Sequence, residues 1–188
     1  MKAPAFFAAL LLSVTASAQD RPAVRPTRDV TVDYQLQAID AQGSSSVHTI
    51  RLSWTGKGNH LRLEMPGGPG FVLVDYAAHK MDLVITQQRA FMALPFDPSV
   101  APGLSIPSDV AMHIAGSEQV ADTPCTVWIM QAPEARATAC ITSDGLLLSL
   151  RTEGIVQPAL EAIRVTYGTQ PSDLFKIPDG FSQIAPSH

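Results

Sequence analysis

Apolar and polar residues alternate along the first part of the chain, in short segments separated by turn residues. Residues 30–37, 49–54 and 60–65 each place every second side chain on one apolar face, and most of the intervening side chains are polar. A period of two residues is typical of a β-strand with one face in water. Glycine-containing stretches follow the first two segments, at 40–43 and 55–59, and they predict turns between neighbouring strands.

The rest of the chain repeats this organisation. Segment 71–76 is apolar on both faces at its start, which predicts cover on both sides of that strand. The pattern predicts further strands near 81–85, 89–94, 110–114, 125–131, 137–143, 146–152 and 160–167, a helical turn at 171–175 and a loop from 177 onward. About ten strands with almost no helix predict an all-β domain, and the short turns favour antiparallel neighbours.

Composition supports a globular domain and argues against two other classes. Of the 188 residues, 46% are hydrophobic and 16% are charged, which is too apolar for a disordered chain. The formal net charge is −4 and the sequence pI is about 5.6, so the chain lacks the basic character of a dedicated nucleic-acid-binding protein. We therefore expect no nucleic-acid partner, and the length predicts one domain.

The beginning of the chain has the three parts of a cleavable secretory signal. Lys2 precedes an apolar run at 5–14, and Ala16 and Ala18 are the small residues expected before a cleavage site after Ala18. A transmembrane anchor is the alternative, but the run is well short of the roughly 20 residues that span a bilayer. We expect a periplasmic protein with no transmembrane anchor after cleavage. The predicted parts are a signal peptide at 1–18, an extended, partly mobile lead-in at 19–29 and one domain at 30–188.

Two cysteines, Cys125 and Cys140, lie in segments that the pattern predicts to be neighbouring strands. In a hairpin centred on residues 133–134 they fall opposite or nearly opposite each other, where their Cβ atoms are close enough for a disulfide. Export to an oxidising compartment favours this bridge. A redox-active or metal-binding pair is the alternative, but the chain has no Cys-x-x-Cys sequence and no histidine near either cysteine.

Catalytic signals are absent from the sequence. It contains no GxSxG, HExxH, P-loop or GxGxxG motif, and its five histidines are scattered without metal-ligand spacing. Asp75 shares a predicted strand face with Phe71 and Leu73, so a functional carboxylate and an ordinary strand-end residue both remain open for it. We expect a protein that is not an enzyme, with no catalytic residues, no metal site and no cofactor.

The strongest positive signal is a wide apolar face shared by the predicted strands. An ordinary core would cover this face with a second sheet; otherwise the sheet curls around a cavity, because the sequence offers no long amphipathic helix. The candidates for contact with an apolar ligand are Tyr34, Leu36, Ile50, Leu52, Trp54, Leu61, Leu63, Met65, Met81 and Leu83. The proline-rich segment 95–108 is a candidate lid. Six methionines fit an adaptable lining, although core packing is the commoner use of methionine.

Two longer stretches resemble the LolA-like superfamily, which comprises bacterial lipoprotein-carrier proteins and related exported domains. Residues 71–96 resemble its central hairpins, in which one strand ends in aspartate and a later aromatic strand ends in proline. Residues 116–154 resemble an uncharacterised exported branch through Gly116, Cys125, Trp128, Cys140, Asp144 and Gly145. The resemblance implies an unclosed antiparallel half-barrel, with a loop or short helix over a concave face that can hold acyl chains or another apolar ligand.

These observations lead to two functional hypotheses. The first is an exported periplasmic protein that binds or carries a hydrophobic, lipid- or acyl-like ligand in its concave sheet, without catalysis. The alternative is an envelope protein-interaction domain that binds a protein partner through an open sheet edge.

Overall fold

The computed structural model describes residues 21–185 except 24, 40–42, 58, 98–109, 133–134 and 156. Within these residues the chain forms twelve strands and two short 3-10 helices, Thr86–Gln88 and Ser172–Phe175. The strands are β1 (Val30–Ile39), β2 (Ser45–Thr55), β3 (His60–Glu64), β4 (Gly70–Asp75), β5 (Lys80–Ile85), β6 (Ala90–Leu94), β7 (Ala111–Val120), β8 (Thr123–Ala132), β9 (Ala135–Ile141), β10 (Leu147–Thr152), β11 (Leu160–Tyr167) and β12 (Ser182–Gln183).

All twelve strands belong to one sheet, in the order β12-β6-β5-β4-β3-β2-β1-β11-β10-β9-β8-β7. Every neighbouring pair is antiparallel except β12 and β6, which are parallel. The sheet is curved and does not close into a barrel, although β7 comes back into contact with β11. The predicted all-β class and open half-barrel are therefore confirmed.

The end of the chain differs from the prediction of a loop. Residues 182–183 form β12, because the backbone N–H groups of Ser182 and Ile184 donate hydrogen bonds to the carbonyl oxygens of Arg89 and Phe91. A strand of two residues is too short to show a periodic pattern, so the sequence gives no signal for it. The helical turn predicted just before this segment is present as the 3-10 helix Ser172–Phe175.

Apolar residues pack on both faces of the sheet, but unequally. The larger cluster is centred on the concave face, around Trp54 and Leu61. The smaller cluster lies on the convex face, where the C-terminal segment covers β4, β5 and β6. It consists of Phe71, Leu73 and Val84 with Phe91, Ile177 and Phe181 packed against them. The cover predicted for both faces of the β4 segment is confirmed.

A disulfide joins Cys125 of β8 to Cys140 of β9, as the sequence predicted. The cysteines are diagonal neighbours, because Cys140 lies directly opposite Val127 in the register. Both are buried, and their Cα atoms are 5.5 Å apart. Side chains alternate between the faces of a strand, so the bridge lies on the face opposite to Trp128 and Ala139. These two residues line the concave side, and the disulfide is therefore outside the candidate ligand site.

Candidate ligand site on the concave face

A row of side chains crosses the concave face at the end of the sheet where β1 begins. The strand registers place these residues side by side: Val30, Trp54, Leu61, Val74, Met81 and Leu94. Trp54 and Leu61 have no exposed surface, and all the others except Leu94 are also buried. We call this row the closed end. Its packing is that of a protein core.

The next row on the same face is only partly covered. It contains Val32, Leu52, Leu63, Val72, Leu83 and Met92. Val32 and Leu52 are buried, whereas the four residues on β3, β4, β5 and β6 are half-buried. We call Leu63, Val72, Leu83 and Met92 the open patch. Partly exposed apolar side chains on the inner side of a curved sheet are the ones that an apolar ligand can reach.

Nine of the ten candidate ligand residues share the concave face in the strand registers. Six of them are buried: Tyr34, Ile50, Leu52, Trp54, Leu61 and Met81. Leu36, Leu63 and Leu83 are half-buried and remain accessible. Met65 lies beyond the end of β3, where it exposes 50% of its surface. The structure therefore separates the predicted set into core residues and a smaller group that a ligand can contact.

Three further methionines share the concave face and were not predicted as site residues. Met92 lies opposite Leu83, and Met112 lies opposite Met130 in the β7–β8 pair; all three methionines are half-buried. Phe91 and Ala93 flank Met92, and Ile129 directly precedes Met130, so a period of two does not identify their face. Only pairing with the next strand does so. Their flexible thioethers suit a surface that adapts to ligands of different shape.

Residues 25–29 of the lead-in cover the closed end. Trp54 Nε1 donates a hydrogen bond of 2.6 Å to the carbonyl oxygen of Pro26, and the N–H of Thr27 donates to the carbonyl oxygen of Asp144. Asp29 accepts a hydrogen bond from the N–H of Gly56. The segment that was predicted to be partly mobile is thus held at several points, and it closes one end of the half-barrel.

The Asp-Gly turn between β9 and β10 contacts this part of the lead-in. Asp144 Oδ1 accepts hydrogen bonds from Thr142 Oγ1 at 2.7 Å and from the Tyr167 hydroxyl at 3.0 Å. Burial, together with the hydrogen bond to Asp144, raises the pKa of Tyr167. Gly145 has φ +90°, and a Cβ there would lie 2.5 Å from the carbonyl oxygen of Arg25. Asp144 and Gly145, which form part of the LolA-like resemblance, are therefore the residues on which the lead-in rests.

An aromatic group surrounds Tyr76, which follows β4 at the closed end. Its ring centroid is 5.6 Å from that of Trp54 and 5.8 Å from that of Phe96, and His79 stacks on Phe96 at 5.0 Å. The Arg25 guanidinium lies over the Tyr76 ring, 4.5 Å from its centroid. Burial raises the pKa of Tyr76, and Arg25 partly opposes this effect. The closed end therefore borders a tyrosine whose ring packs against two aromatic rings and one guanidinium.

Asp75 has the structural role that the sequence left open. Its Oδ1 accepts hydrogen bonds from the N–H groups of Ala77 and Ala78, at 3.0 and 2.9 Å, and so shapes the turn after β4. His60 Nδ1 lies 3.8 Å from the other carboxylate oxygen. Among the described residues, no group of three or more His, Cys, Asp and Glu side chains is placed to hold a metal ion.

Charged pairs occupy the convex face behind the ligand candidates. Arg51 makes two hydrogen bonds to the carboxylate of Asp33, at 2.7 and 3.0 Å, and this contact raises the pKa of Arg51. Arg62 pairs with Glu64 at 2.7 Å and lies over the ring of Phe71. A polar groove of about 330 Å³ lies beside these pairs. The two faces of the central strands therefore differ in chemistry: ion pairs lie on the convex face, and the open patch on the concave face is apolar.

No protein-family model matches the sequence, and no curated protein matches it. Several solved structures do. An uncharacterized conserved protein from Thermus thermophilus is 9% identical, with a TM-score of 0.58 over 85% of this chain and 91% of that chain. A chain in the complex structure of Pseudomonas aeruginosa MucA/MucB is 14% identical, with a TM-score of 0.49 over 79% of this chain and 55% of that chain. The LolA superfamily protein NE2245 from Nitrosomonas europaea is 10% identical, with a TM-score of 0.43 over 81% of this chain and 92% of that chain.

These similarities concern the fold alone, since identities are so low. The architecture of the Thermus protein is shared over most of both chains, whereas this chain spans 55% of the matched MucA/MucB chain. A LolA superfamily protein is among the matched structures, as the sequence resemblance led us to expect. Within the described residues, no helix is long and apolar enough to cross a membrane.

Proposed function

We propose that this protein binds or carries a hydrophobic, acyl-like ligand on the concave face of its sheet, in the periplasm and without catalysis. The contrast between the closed end and the open patch carries the proposal. The closed end is packed as a core, whereas Leu63, Val72, Leu83 and Met92 keep part of their apolar surface accessible on the same face. Burial of this surface against a ligand is the interaction that the arrangement supports best.

The free energy of such binding comes from apolar burial. Each Å² of apolar surface removed from water contributes about 25 cal/mol, before the cost of ordering the ligand. The closed end is already packed, so the protein itself has little to reorganise there when the ligand binds. The methionines of the concave face can change rotamer at low cost, which suits chains of different length.

The proposed location in the periplasm requires that the chain is exported. The charged start, the apolar run at 5–14 and the small residues before Gln19 are the features of a cleavable signal. Amino-terminal sequencing of the protein recovered from periplasm tests this part. We expect the mature chain to begin at Gln19, and a chain that keeps Met1 in the membrane fraction contradicts export in soluble form.

Native mass spectrometry of protein purified from periplasm, followed by organic extraction, tests ligand binding directly. We expect a reproducible extra mass that dissociates on activation and is identified as a lipid or another acyl compound in the extract. A protein that carries no extra mass, and whose mass no added lipid changes, contradicts the proposal.

A pair of variants locates the bound ligand. Leu83→Gln places an amide in the open patch and is expected to remove most of the co-purified ligand, because the polar group loses water without gaining a partner. Ile163→Gln is the matched control, since Ile163 lies at an irregularity of β11 and already exposes 48% of its surface. Equal ligand content in the two variants, at equal thermal stability, argues against the open patch as the site.

A second candidate function rests on β7. Among the described residues, this strand of ten residues ends the sheet, pairs with β8 alone and is exposed along most of its length. Ile114 exposes 53% of its surface there. An extended segment of an envelope protein can pair with such an edge. Ile114→Lys should then abolish capture of a defined envelope partner that the unaltered protein recovers, whereas recovery of no partner above background counts against this function.

A further inference from the structure

Two rows of polar side chains cross the convex face of β11, β1, β2 and β3. The strand registers align one row of Thr166, Thr31, Ser53 and Arg62, and a second row of Arg164, Asp33, Arg51 and Glu64. These residues alternate along their strands with the side chains of the concave face. All of them except Arg62 line the polar groove of about 330 Å³, together with Leu174. The groove therefore has hydroxyl groups along one row and charged groups along the other.

The floor of this groove is buried although it is polar. Asp33 exposes 8% of its surface and Ser53 exposes 4%. The chain that follows β11 forms one wall, where the Arg62 guanidinium donates a hydrogen bond of 3.2 Å to the carbonyl oxygen of Leu174. Polar groups on the open face of a sheet are usually in contact with water. A recessed polar floor beside a wall can instead enclose part of a small polar ligand.

The charged row of the groove contains one positive charge that no acidic side chain balances. Asp33 accepts both of its hydrogen bonds from Arg51, at 2.7 and 3.0 Å, and Glu64 pairs with Arg62. Arg164 lies opposite Asp33 in the register and is exposed, so a ligand can reach it. Among the described residues, its side chain makes no hydrogen bond and no ion pair. A guanidinium in this position is suited to a single carboxylate group.

The hydroxyl row lies beside this unbalanced charge. Thr166 is two residues from Arg164 on the same strand, so their side chains share a face. Thr31 Oγ1 donates a hydrogen bond to Gln170 Oε1 at 3.1 Å, so the Ser53 hydroxyl, 3.3 Å from Thr31 Oγ1, must be the donor between the two. Each of these hydroxyl oxygens keeps a lone pair that can accept a further hydrogen bond. The row therefore matches a ligand that carries hydroxyl groups of its own.

We propose that the polar groove binds a small polyhydroxylated monocarboxylic acid, with its carboxylate on Arg164 and its hydroxyl groups along the row of Thr31 and Ser53. A ligand with several negative charges fits less well, because it would also meet the carboxylate of Glu64. The volume of the groove, about 330 Å³, is in the range of small-molecule sites. This site lies on the face opposite to the open patch, so it is independent of the proposed function.

Gluconate, sorbitol and hexanoate are suitable probes, because all three have six carbon atoms. Sorbitol replaces the carboxylate of gluconate by an alcohol, and hexanoate keeps the carboxylate but lacks the hydroxyl groups. Each is titrated against the mature protein at low ionic strength, where charges are least screened, and backbone amide shifts are followed by NMR. We expect gluconate to shift amides of β11 and β1 and to bind at least about tenfold more tightly there than either other probe. Hexanoate bound at the open patch would shift amides of β5 and β6 instead.

A pair of glutamine variants tests the role of Arg164. Arg164→Gln should weaken gluconate binding by about tenfold, since hydrogen bonds from a charged group are lost, and should leave sorbitol binding unchanged. Arg136→Gln is the matched control, because it removes the same charge from β9, where Arg136 pairs with Glu153 outside the groove. Both positions are exposed, so we expect both variants to keep the Tm of the unaltered protein.

Three outcomes would overturn the inference. The first is gluconate affinities that agree within about twofold between the unaltered protein and Arg164→Gln. The second is gluconate that binds no more tightly at β11 and β1 than sorbitol or hexanoate. The third is gluconate that shifts no amide of these strands. None of these outcomes bears on acyl binding, because the open patch lies on the other face of the sheet.

Discussion

Leu61 and Leu63 lie two residues apart on β3 and point to the same concave face, yet their surroundings differ. Leu61 belongs to the closed end and has no exposed surface, whereas Leu63 belongs to the open patch and is half-buried. The sequence pattern treats the two leucines alike. What separates them is the cover supplied by distant parts of the chain, because the lead-in closes the end of the sheet near Trp54. The same apolar face thus serves as core at one end and as accessible surface further along.

The difference between Leu61 and Leu63 indicates that one row of an open sheet can stabilise the fold while the next row on the same face stays accessible. A half-barrel must bury enough apolar surface to be stable, and the closed end supplies that burial with Trp54, Leu61 and Val74. The open patch keeps part of its apolar surface accessible, and we expect stability to depend on it to a smaller extent. This division makes the two regions separable by mutation.

Alanine substitution on β3 should give the largest difference in stability between the closed end and the open patch. Leu61→Ala should lower the free energy of unfolding by about 2–5 kcal/mol, because it leaves a cavity in a packed row. Leu63→Ala should cost about 1 kcal/mol, since its side chain is already partly in water. Urea unfolding of both variants measures the difference. Equal losses would show that the open patch is as much a part of the core as the closed end.

Removal of the disulfide tests whether stability and binding are separate. The double variant Cys125→Ser/Cys140→Ser should lose roughly 3 kcal/mol, since the bridge closes a short loop of the unfolded chain. Its affinity for the ligand should not change, because the cysteines lie on the face opposite to Trp128 and Ala139. Unfolding with and without reductant, next to a binding titration, gives both quantities. A large loss of affinity in the folded variant would connect the bridge to the concave site.

Substitution of two glycines with similar backbone geometry tests whether the contact at Gly145 holds the lead-in in place. Gly145 and Gly154 have φ +90° and +83°, so alanine strains both by about 1 kcal/mol. Only at Gly145 does the new Cβ meet the carbonyl oxygen of Arg25, at 2.5 Å, whereas nothing lies within 4 Å at Gly154. Gly145→Ala should therefore cost about 2 kcal/mol in total and Gly154→Ala about half of that. Equal melting temperatures would show that the lead-in yields easily and does not hold the closed end.

Local pattern predicted the strands well, because an alternating segment such as 30–37 must form a strand with one buried face. It also predicted the disulfide, since a hairpin centred on 133–134 brings Cys125 and Cys140 together. These inferences need only residues that are close in sequence. The predicted lid at 95–108 lies largely outside the described residues, and the signal peptide remains a prediction.

Long-range contacts were not predictable from the pattern. Nothing in residues 25–29 indicates that Pro26 accepts a hydrogen bond from Trp54, or that Gly145 makes room for this segment. Distant segments also determine how deeply each residue of one apolar face is buried. The sequence pattern therefore placed Trp54 and Leu83 in one candidate set, although only Leu83 of these two remains accessible. Local sequence therefore defines which face is apolar, and distant segments decide which part of it is open.

The smallest expected effect concerns two carboxylates on the convex face. Asp33 is held by two hydrogen bonds from Arg51, whereas Asp82 lies on β5 opposite Leu73, in a small cavity lined by Phe175, Ile177 and other residues. Burial raises the pKa of Asp82 above its ordinary value of 3.8, and Lys80 only partly opposes this effect. A raised folded-state pKa means that the folded protein favours the protonated acid. The resulting stabilisation is complete at pH values below 3.8 and is lost as the pH rises through the folded-state pKa.

Asp82→Asn should therefore raise Tm slightly at neutral pH. The gain in the free energy of unfolding should be about 0.3 kcal/mol or less, because Asp82 is only half-buried and solvent screens its charge. The gain should disappear as the pH falls below the ordinary pKa of an aspartate. Asp33→Asn should have the opposite sign at neutral pH, because it weakens the paired hydrogen bonds from Arg51. Melting curves of both variants at several pH values measure this contrast. A loss of stability in Asp82→Asn at neutral pH would mean that the Asp82 carboxylate is stabilised by a partner, and that Lys80 outweighs the burial under the C-terminal segment.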